Sequence, residues 1–330
     1  MANDNVILGI KNLNKEFRLR GDGLFGKPQT LHALSGVSLD VYEGETLGII
    51  GESGCGKSTL GRCIVGLHEP TSGEIIYNGQ DISKLKGAAR KPVHKDLQMI
   101  FQDSYSSLDP RFTAAASIEE PMIIHGIEPD AAKRQQKVLD LMKEVGLDIQ
   151  HLQRYPHEFS GGQRQRINVA RALSLDPKII VCDEPVSALD VSIQAQVLNL
   201  FRRLQRERGL TYVFISHDLS VVKHISDRVA IMYLGRVMEI SPAHSIYENP
   251  LHPYTTALLS AIPPENPFER HPEMKLEGEI PSPVGDQVGC PLAGRCPNAT
   301  ERCHRERPAL VETEPNHKVA CFLYHDEVAE

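Results

Sequence analysis

Residues Gly51 to Ser58, GESGCGKS, follow the pattern G-x-x-x-x-G-K-[ST]. Glycines at that spacing let the backbone wrap so that successive N–H groups point inward at a phosphate chain. A helix starting directly after such a loop adds its positive N-terminal end. Gly51, Ser53, Gly54, Cys55, Gly56, Lys57, Ser58 and Thr59 therefore form a candidate nucleotide cradle. In it Lys57 is expected to reach the β- and γ-phosphates, and the Ser58 hydroxyl to bind Mg2+. Cys55 is expected to fill space in the loop, because no activating histidine stands near it in sequence.

Two acids downstream extend this into a phosphoryl-transfer set. IIVCDEP is a short apolar run ending in Asp183 and Glu184. Asp183, at the end of a buried strand, is placed to hold Mg2+ through water, and Glu184 to polarise an attacking water. FSGGQRQR carries Ser160, Gly161, Gly162 and Gln163 directly ahead of a helical stretch. A serine N-cap with exposed glycine N–H groups makes a second phosphate cradle. One chain rarely needs two cradles for one γ-phosphate, so the second is expected to serve a nucleotide held by another subunit.

The elements that must position these residues alternate between strand and helix. NVILGI and FRLR are strand-like, and the Gly-rich GDGLFGKPQ reads as a loop. An alternating strand, a turn at Glu43-Gly44 and a buried strand from Thr46 to Ile50 lead into the phosphate loop. From about Asp103 to Phe159 the chain reads as mostly helical. Val138, Leu141, Met142 and Val145 share one helix face there, a core stripe that stops at Gly146. Ile193, Val197, Leu200 and Leu204 line a second helix capped by Gly209. TYVFISHD is a further β-rich run with His217 just beyond it. The alternation predicts an α/β fold around a largely parallel sheet, with ligands at the carboxyl ends of the strands.

A chain of 330 residues has room for one large domain or two ordinary ones, and its formal net charge of −7 argues against nucleic acid as the main partner. The opening MANDNVILGI lacks the basic and long apolar regions of a signal peptide, and no apolar run is long enough to span a bilayer. A cytosolic protein, soluble or peripheral to a membrane, is expected. There thiols stay reduced, yet four of the seven cysteines gather near the C-terminus as C-x5-C-x6-C-x17-C: Cys290, Cys296, Cys303 and Cys321. Unrelated buried thiols, a structural Zn2+ site and a [4Fe–4S] cluster all fit that spacing. His304 and His317 flank the cysteines and could replace a ligand in a zinc site.

The phosphate loop, Gln102 in MIFQDS, SGGQ, IIVCDEP, SALD and His217 in ISHD stand in the order and rough spacing of ABC-type ATPases. The chain resembles that family over about residues 6–260. The resemblance implies an α/β P-loop NTPase fold, the ABC-type nucleotide-binding domain, over residues 1–261. It would have a RecA-like core, an antiparallel β subdomain and a helical signature subdomain at about 103–170. Two such subunits would stack head to tail, with two ATPs sandwiched between phosphate loop and signature. Gln102 would then sense the γ-phosphate, touch Mg2+ and report to the membrane partner. His217 would contact the γ-phosphate as a switch, Asp190 in SALD would link the two sites, and Phe17 in LNKEF would stack on adenine. Phe159 stands before the signature serine where many members have leucine; it too is apolar, and no loss of function is expected. Glu184 and His217 are both present, so the subunit resembles a hydrolysing one.

Three segments resemble the oligopeptide/dipeptide/nickel importer branch: SYSSLDPRFT after Gln102, the HPY element in YENPLHPYTTALLSAIP, and the cysteine tail at 262–330. RGDGLFGKPQTLHALSGVSL is similar to the second, F-type ATPase of such importers. The resemblance implies an ATPase subunit powering di- or oligopeptide import, with nickel, opine or another small solute as alternatives. A soluble ABC ATPase outside transport is a further one. Its partners would be a D-type ATPase, two transmembrane permease subunits and, indirectly, an extracytoplasmic binding protein, at the cytoplasmic face of the inner (plasma) membrane. Several ATPases of this type carry a [4Fe–4S] cluster in the tail, which implies Cys290, Cys296, Cys303 and Cys321 as its ligands.

Overall fold

The computed structural model describes residues 5–19, 29–261, 274–285 and 287–329. Most of the Gly-rich GDGLFGKPQ segment and the start of the Pro-rich stretch after Ala261 lie outside the described residues. In chain order the elements begin with β1 (Val6–Leu19), β2 (Gln29–Tyr42), β3 (Thr46–Ile50), α1 (Lys57–Val65), β4 (Ser72–Tyr77) and β5 (Gln80–Asp81). Then come α2 (Lys91–Asp96), β6 (Leu97–Ile100), α3 (Ala114–His125), α4 (Ala131–Glu144), α5 (Gly161–Leu173), β7 (Ile179–Asp183), α6 (Val191–Arg208) and β8 (Thr211–Ser216). The chain continues through α7 (Leu219–Ile225), β9 (Arg228–Tyr233), β10 (Arg236–Pro242), α8 (Ala243–Glu248) and α9 (Pro253–Ser260). The tail holds α10 (Glu301–Arg305), β11 (Val311–Glu314) and β12 (His317–Val319).

The strands form a four-stranded sheet in the order β2-β1-β4-β5 and an eight-stranded sheet in the order β11-β12-β10-β9-β3-β8-β7-β6. Pairing is parallel from β9 through β3, β8 and β7 to β6, and antiparallel from β9 outward to β11. The central parallel strands β3, β7 and β8 are buried at every position and mostly apolar, because both faces are covered. Ile180, Cys182, Tyr212 and Phe214 face a core built with the helices, including the α4 stripe Val138, Leu141 and Met142. The alternate residues Ile179, Val181, Val213 and Ile215 face a second core shared with α1 and the four-stranded sheet. This is the period-2 alternation of a strand expressed in two apolar compartments. The expected helix stops also appear: Gly209 caps α6 in the left-handed region at φ 64.

The tail is tied into this architecture. β12 pairs with β10 through Glu239–Val319 and Ile240–Lys318, and Leu292 is fully buried in the helix-side core. Glu239 is completely buried and its carboxylate has three partners. It accepts from the N–H groups of Leu251 (2.8 Å) and His252 (3.0 Å) and lies 2.6 Å from His317 Nε2. His252 caps α9, its Nδ1 accepting from the Tyr254 N–H at 3.0 Å. That bond requires an unprotonated Nδ1, and burial pushes the His252 imidazole down to about 4, against the pull of Glu239.

A pH prediction follows. Unfolded, His252 takes a proton near 6.5; folded, it stays neutral to about 4. Between those values the unfolded chain binds more protons, so this group's contribution to stability falls as pH drops through that window, by roughly 3 kcal/mol in all. Thermal melts of H252N compared with the parent should show a flatter decline between pH 6.5 and 4. An identical decline in both proteins would remove His252 as its source.

Candidate functional site

The phosphate loop runs from the end of β3 to the start of α1 through a narrow passage. A Cβ on Gly51 would lie 2.1 Å from the Met232 carbonyl oxygen. Gly56, at φ +104, could carry no side chain either, since its Cβ would meet the Ala33 carbonyl at 2.4 Å. The Gly235 N–H pins the loop further by donating to the Cys55 carbonyl at 2.8 Å. Ser53 and Gly54 form the exposed crest, while Cys55 is buried, its thiol pushed up by that burial. Lys57 is buried as well, and its Nζ donates to the carbonyls of Gly51 (2.7 Å) and Glu52 (2.9 Å).

Ser58 and Thr59 occupy the first turn of α1. The Ser58 hydroxyl donates to Asp183 Oδ1 at 2.7 Å, joining the loop to the end of β7. Burial raises the Asp183 carboxyl above its usual range in spite of that bond and of nearby Arg62. A buried carboxylate beside a hydroxyl is a setting that a divalent cation would stabilise.

One residue further, the chain leaves β7 with Glu184 at φ +48, its N–H held by the Ile215 carbonyl at 2.9 Å. Glu184 Oε2 accepts from Gln102 Nε2 at 2.8 Å and lies 3.0 Å from His217 Nδ1. Gln102, Glu184 and His217 each follow a strand end, those of β6, β7 and β8, which are neighbours in the sheet. Three residues distant in sequence thus meet at one oxygen because parallel strands end side by side.

Ser160 and Gln163 form a reciprocal cap at the start of α5. The Ser160 N–H donates to Gln163 Oε1 at 3.0 Å and the Gln163 N–H to Ser160 Oγ at 3.3 Å. Gly161 and Gly162 lie in the first turn, where a Cβ on Gly162 would press on Ile193 at 2.5 Å. α5 packs on α3, α4, α6 and β6, whereas α1 packs on β2, β6, β7 and β8, so the two cradles belong to different flanks of the molecule. Arg171 and Asn168 of α5 donate to the carbonyls of Ser107 and Ser104, holding the loop after Gln102 against the signature helix. Asp190 stands exposed ahead of α6, and its side chain makes no cap hydrogen bond. Phe17 is half-buried on β1, edge-on to His68 at 5.5 Å with Lys15 Nζ 4.9 Å from the ring centre.

The tail cysteines differ from the expectation of a closed ligand set. Among the described residues no group of three or more His, Cys, Asp or Glu side chains is arranged to hold a metal ion. Instead Cys290, Cys296, Cys303 and Cys321 border one cavity of about 130 Å3 beside His252, Leu292 and Phe322. Burial in these surroundings pushes the Cys290 thiol up to about 12 and the Cys321 thiol up to about 11. The histidines named as replacement ligands do not serve. Neither His304 nor His317 is among the residues lining the cavity. Sequence reading also misses Glu52 and Arg295, which form an ion pair of 3.0 Å between phosphate loop and cysteine tail. They are 243 residues apart, and no local pattern signals them.

Comparison with known proteins identifies relatives along most of the chain. The family description "ABC transporter" matches residues 34–187, and "Oligopeptide/dipeptide transporter, C-terminal region" matches residues 238–303. The chain is 52% identical to the oligopeptide transport ATP-binding protein AppF of Bacillus subtilis, covering 98% of this chain and 99% of the relative. It is 50% identical to the oligopeptide transport ATP-binding protein OppF of Escherichia coli, over 96% of each chain. Against the dipeptide transport ATP-binding protein DppF of the same organism, identity is 48% over 96% of this chain and 94% of that one. A solved dimeric bacterial ABC transporter cassette superposes with a TM-score of 0.64 at 30% identity, covering 72% of this chain and 98% of the cassette. The chain therefore belongs to the ATP-binding subunits of ABC transporters, in the branch with the oligopeptide/dipeptide C-terminal region, and is an ATPase.

Proposed function

We propose that the chain hydrolyses ATP between its own phosphate loop and the signature of a second ATPase subunit, and so powers uptake of di- or oligopeptides. The observation that carries this reading is the meeting of Gln102 and His217 on Glu184 Oε2, beside the Ser58–Asp183 pair. The phosphate loop binds the nucleotide, with Phe17 against the base. Ser58, Asp183 and Gln102 would hold Mg2+, which would supply charge neutralisation at the phosphates. Glu184 orients and polarises the attacking water, and His217 contacts the γ-phosphate. Catalysis then rests on positioning and charge stabilisation.

Ser160, Gly161, Gly162 and Gln163 serve the partner's ATP, which the separate flanks of the two cradles support. The exposed Asp190 joins the two sites across that interface. The partner is a D-type ATPase, and the pair works at the cytoplasmic face of the membrane on two permease subunits fed by an extracytoplasmic binding protein. The names of the relatives support peptides as the solute. Among the described residues no helix is long and apolar enough to cross a membrane, so the permeases supply the path.

The same reading places a [4Fe–4S] cluster on Cys290, Cys296, Cys303 and Cys321. Four soft donors spread around one cavity suit a polynuclear body better than a single zinc ion. Charge supports it too. Arg236 and Arg307 lie near Cys290 and repel each other, and each has a buried Nε without a hydrogen-bond partner among the described residues. A negatively charged thiolate centre supplies the missing counter-charge. The cluster would add folding free energy to a tail with little core of its own.

In the assembled transporter, E184Q should keep ATP binding and lose at least about 100-fold in phosphate release, the scale of a general base. Hydrolysis at the parent rate would remove Glu184 from that role. Protein purified without oxygen should contain iron and sulfide and absorb in the visible, and C290A should lose both signals. Stoichiometric zinc without iron would overturn the cluster.

A further inference from the structure

Glu52 lies inside the phosphate loop, and its backbone and side chain are held from three sides. Its carbonyl accepts from Lys57 Nζ at 2.9 Å, its N–H donates to Tyr254 Oη at 3.0 Å, and its carboxylate takes Arg295 at 3.0 Å. Two of these three partners come from beyond the ATPase motifs: Tyr254 from α9, and Arg295 from the segment between Cys290 and Cys296. Arg295 is itself fixed, donating to Tyr233 Oη at 3.2 Å, and the rings of Tyr233 and Tyr254 meet at 4.7 Å. The ion pair is partly buried, with side chains 11% and 23% exposed for Arg295 and Glu52, so salt screens it less than a surface pair.

A carboxylate within a phosphate-binding loop poses a physical problem. Its negative charge opposes the polyphosphate that the inward N–H groups and Lys57 are there to attract. We propose that Arg295 is a positioning residue for ATP: it masks the Glu52 charge and turns that carboxylate away from the cradle, so the C-terminal extension sets the loop's affinity for nucleotide. The inference rests on the placement of ATP at Gly51–Thr59, and it does not depend on which metal centre the cysteines hold. Arg295 acts through Glu52 and takes no part in the chemical step.

The test is equilibrium ATP binding by the full-length chain, by titration calorimetry, with hydrolysis measured in the assembled transporter. R295Q should weaken ATP binding about tenfold, the scale of one charge-assisted hydrogen bond. KM should rise with it while kcat at saturating ATP stays within about twofold. R295K should retain most of the affinity. E52Q should not weaken binding, and E52Q/R295Q should recover to within about threefold of the parent, because the charge that needed masking is gone. A purely structural role predicts the opposite, a double variant as weak as R295Q or weaker, and that result would overturn the proposal. So would unchanged affinity in R295Q. If R295Q does not fold, E52Q alone decides, since a tenfold weakening there contradicts charge masking. K57A serves as the separate control. Parental ATP binding by K57A would remove the placement of ATP at the loop and leave Arg295 out of account.

Discussion

The tight passage of the phosphate loop between two other backbones is the constraint on which the rest of the structure depends. The Met232 carbonyl closes it on one side and the Ala33 carbonyl on the other, and only glycine fits at Gly51 and Gly56. Met232 belongs to β9 of the large sheet and Ala33 to β2 of the small one. The loop is therefore one place where both sheets meet, and its shape is set by their relative position. A close-packed interior transmits such a constraint. The antiparallel sheet, which carries Phe17, is thereby placed against the same loop that α1 continues.

From that fixed loop the chemistry is laid out by strand order. β3, β8, β7 and β6 are successive parallel neighbours, so their carboxyl ends deliver the loop, His217, Asp183 with Glu184, and Gln102 to adjacent points. The Ser58–Asp183 bond crosses from loop to strand end, and Glu184 gathers Gln102 and His217. Glu184 reaches that position only by entering the left-handed region at φ +48, a conformation uncommon for a non-glycine residue. Neighbouring bonds over-determine it, including the hydrogen bond from its N–H to Ile215.

What was legible in the sequence was whatever is encoded over a few residues. The phosphate loop, the Asp183–Glu184 pair and the Ser160–Gln163 cap each fit within a short window, where residue type and spacing fix the chemistry. The α4 and α6 stripes were legible for the same reason, since helical periodicity is local. β6 offers four residues and no period to detect, and β4 and β5 are likewise unmarked. Contacts between distant parts of the chain were invisible: Glu52 with Arg295, and Glu239 with His317 across 78 residues. His317 is not among the residues lining the cysteine cavity. Its Nε2 faces a buried carboxylate instead, which a count of nearby cysteines and histidines cannot reveal.

The pairing of β12 with β10 has a consequence for solubility. Without β12, β10 would form the margin of an eight-stranded sheet's shortened remainder, its unpaired N–H and C=O groups running beside Met238 and Ile240. An open margin of that kind invites intermolecular strand addition. The tail covers it and moves the margin out to β11, only four residues long and bearing Glu312 and Glu314 at exposed positions. Short length and like charge make a poor template for another chain. The C-terminal extension thus also guards the ATPase sheet against self-association.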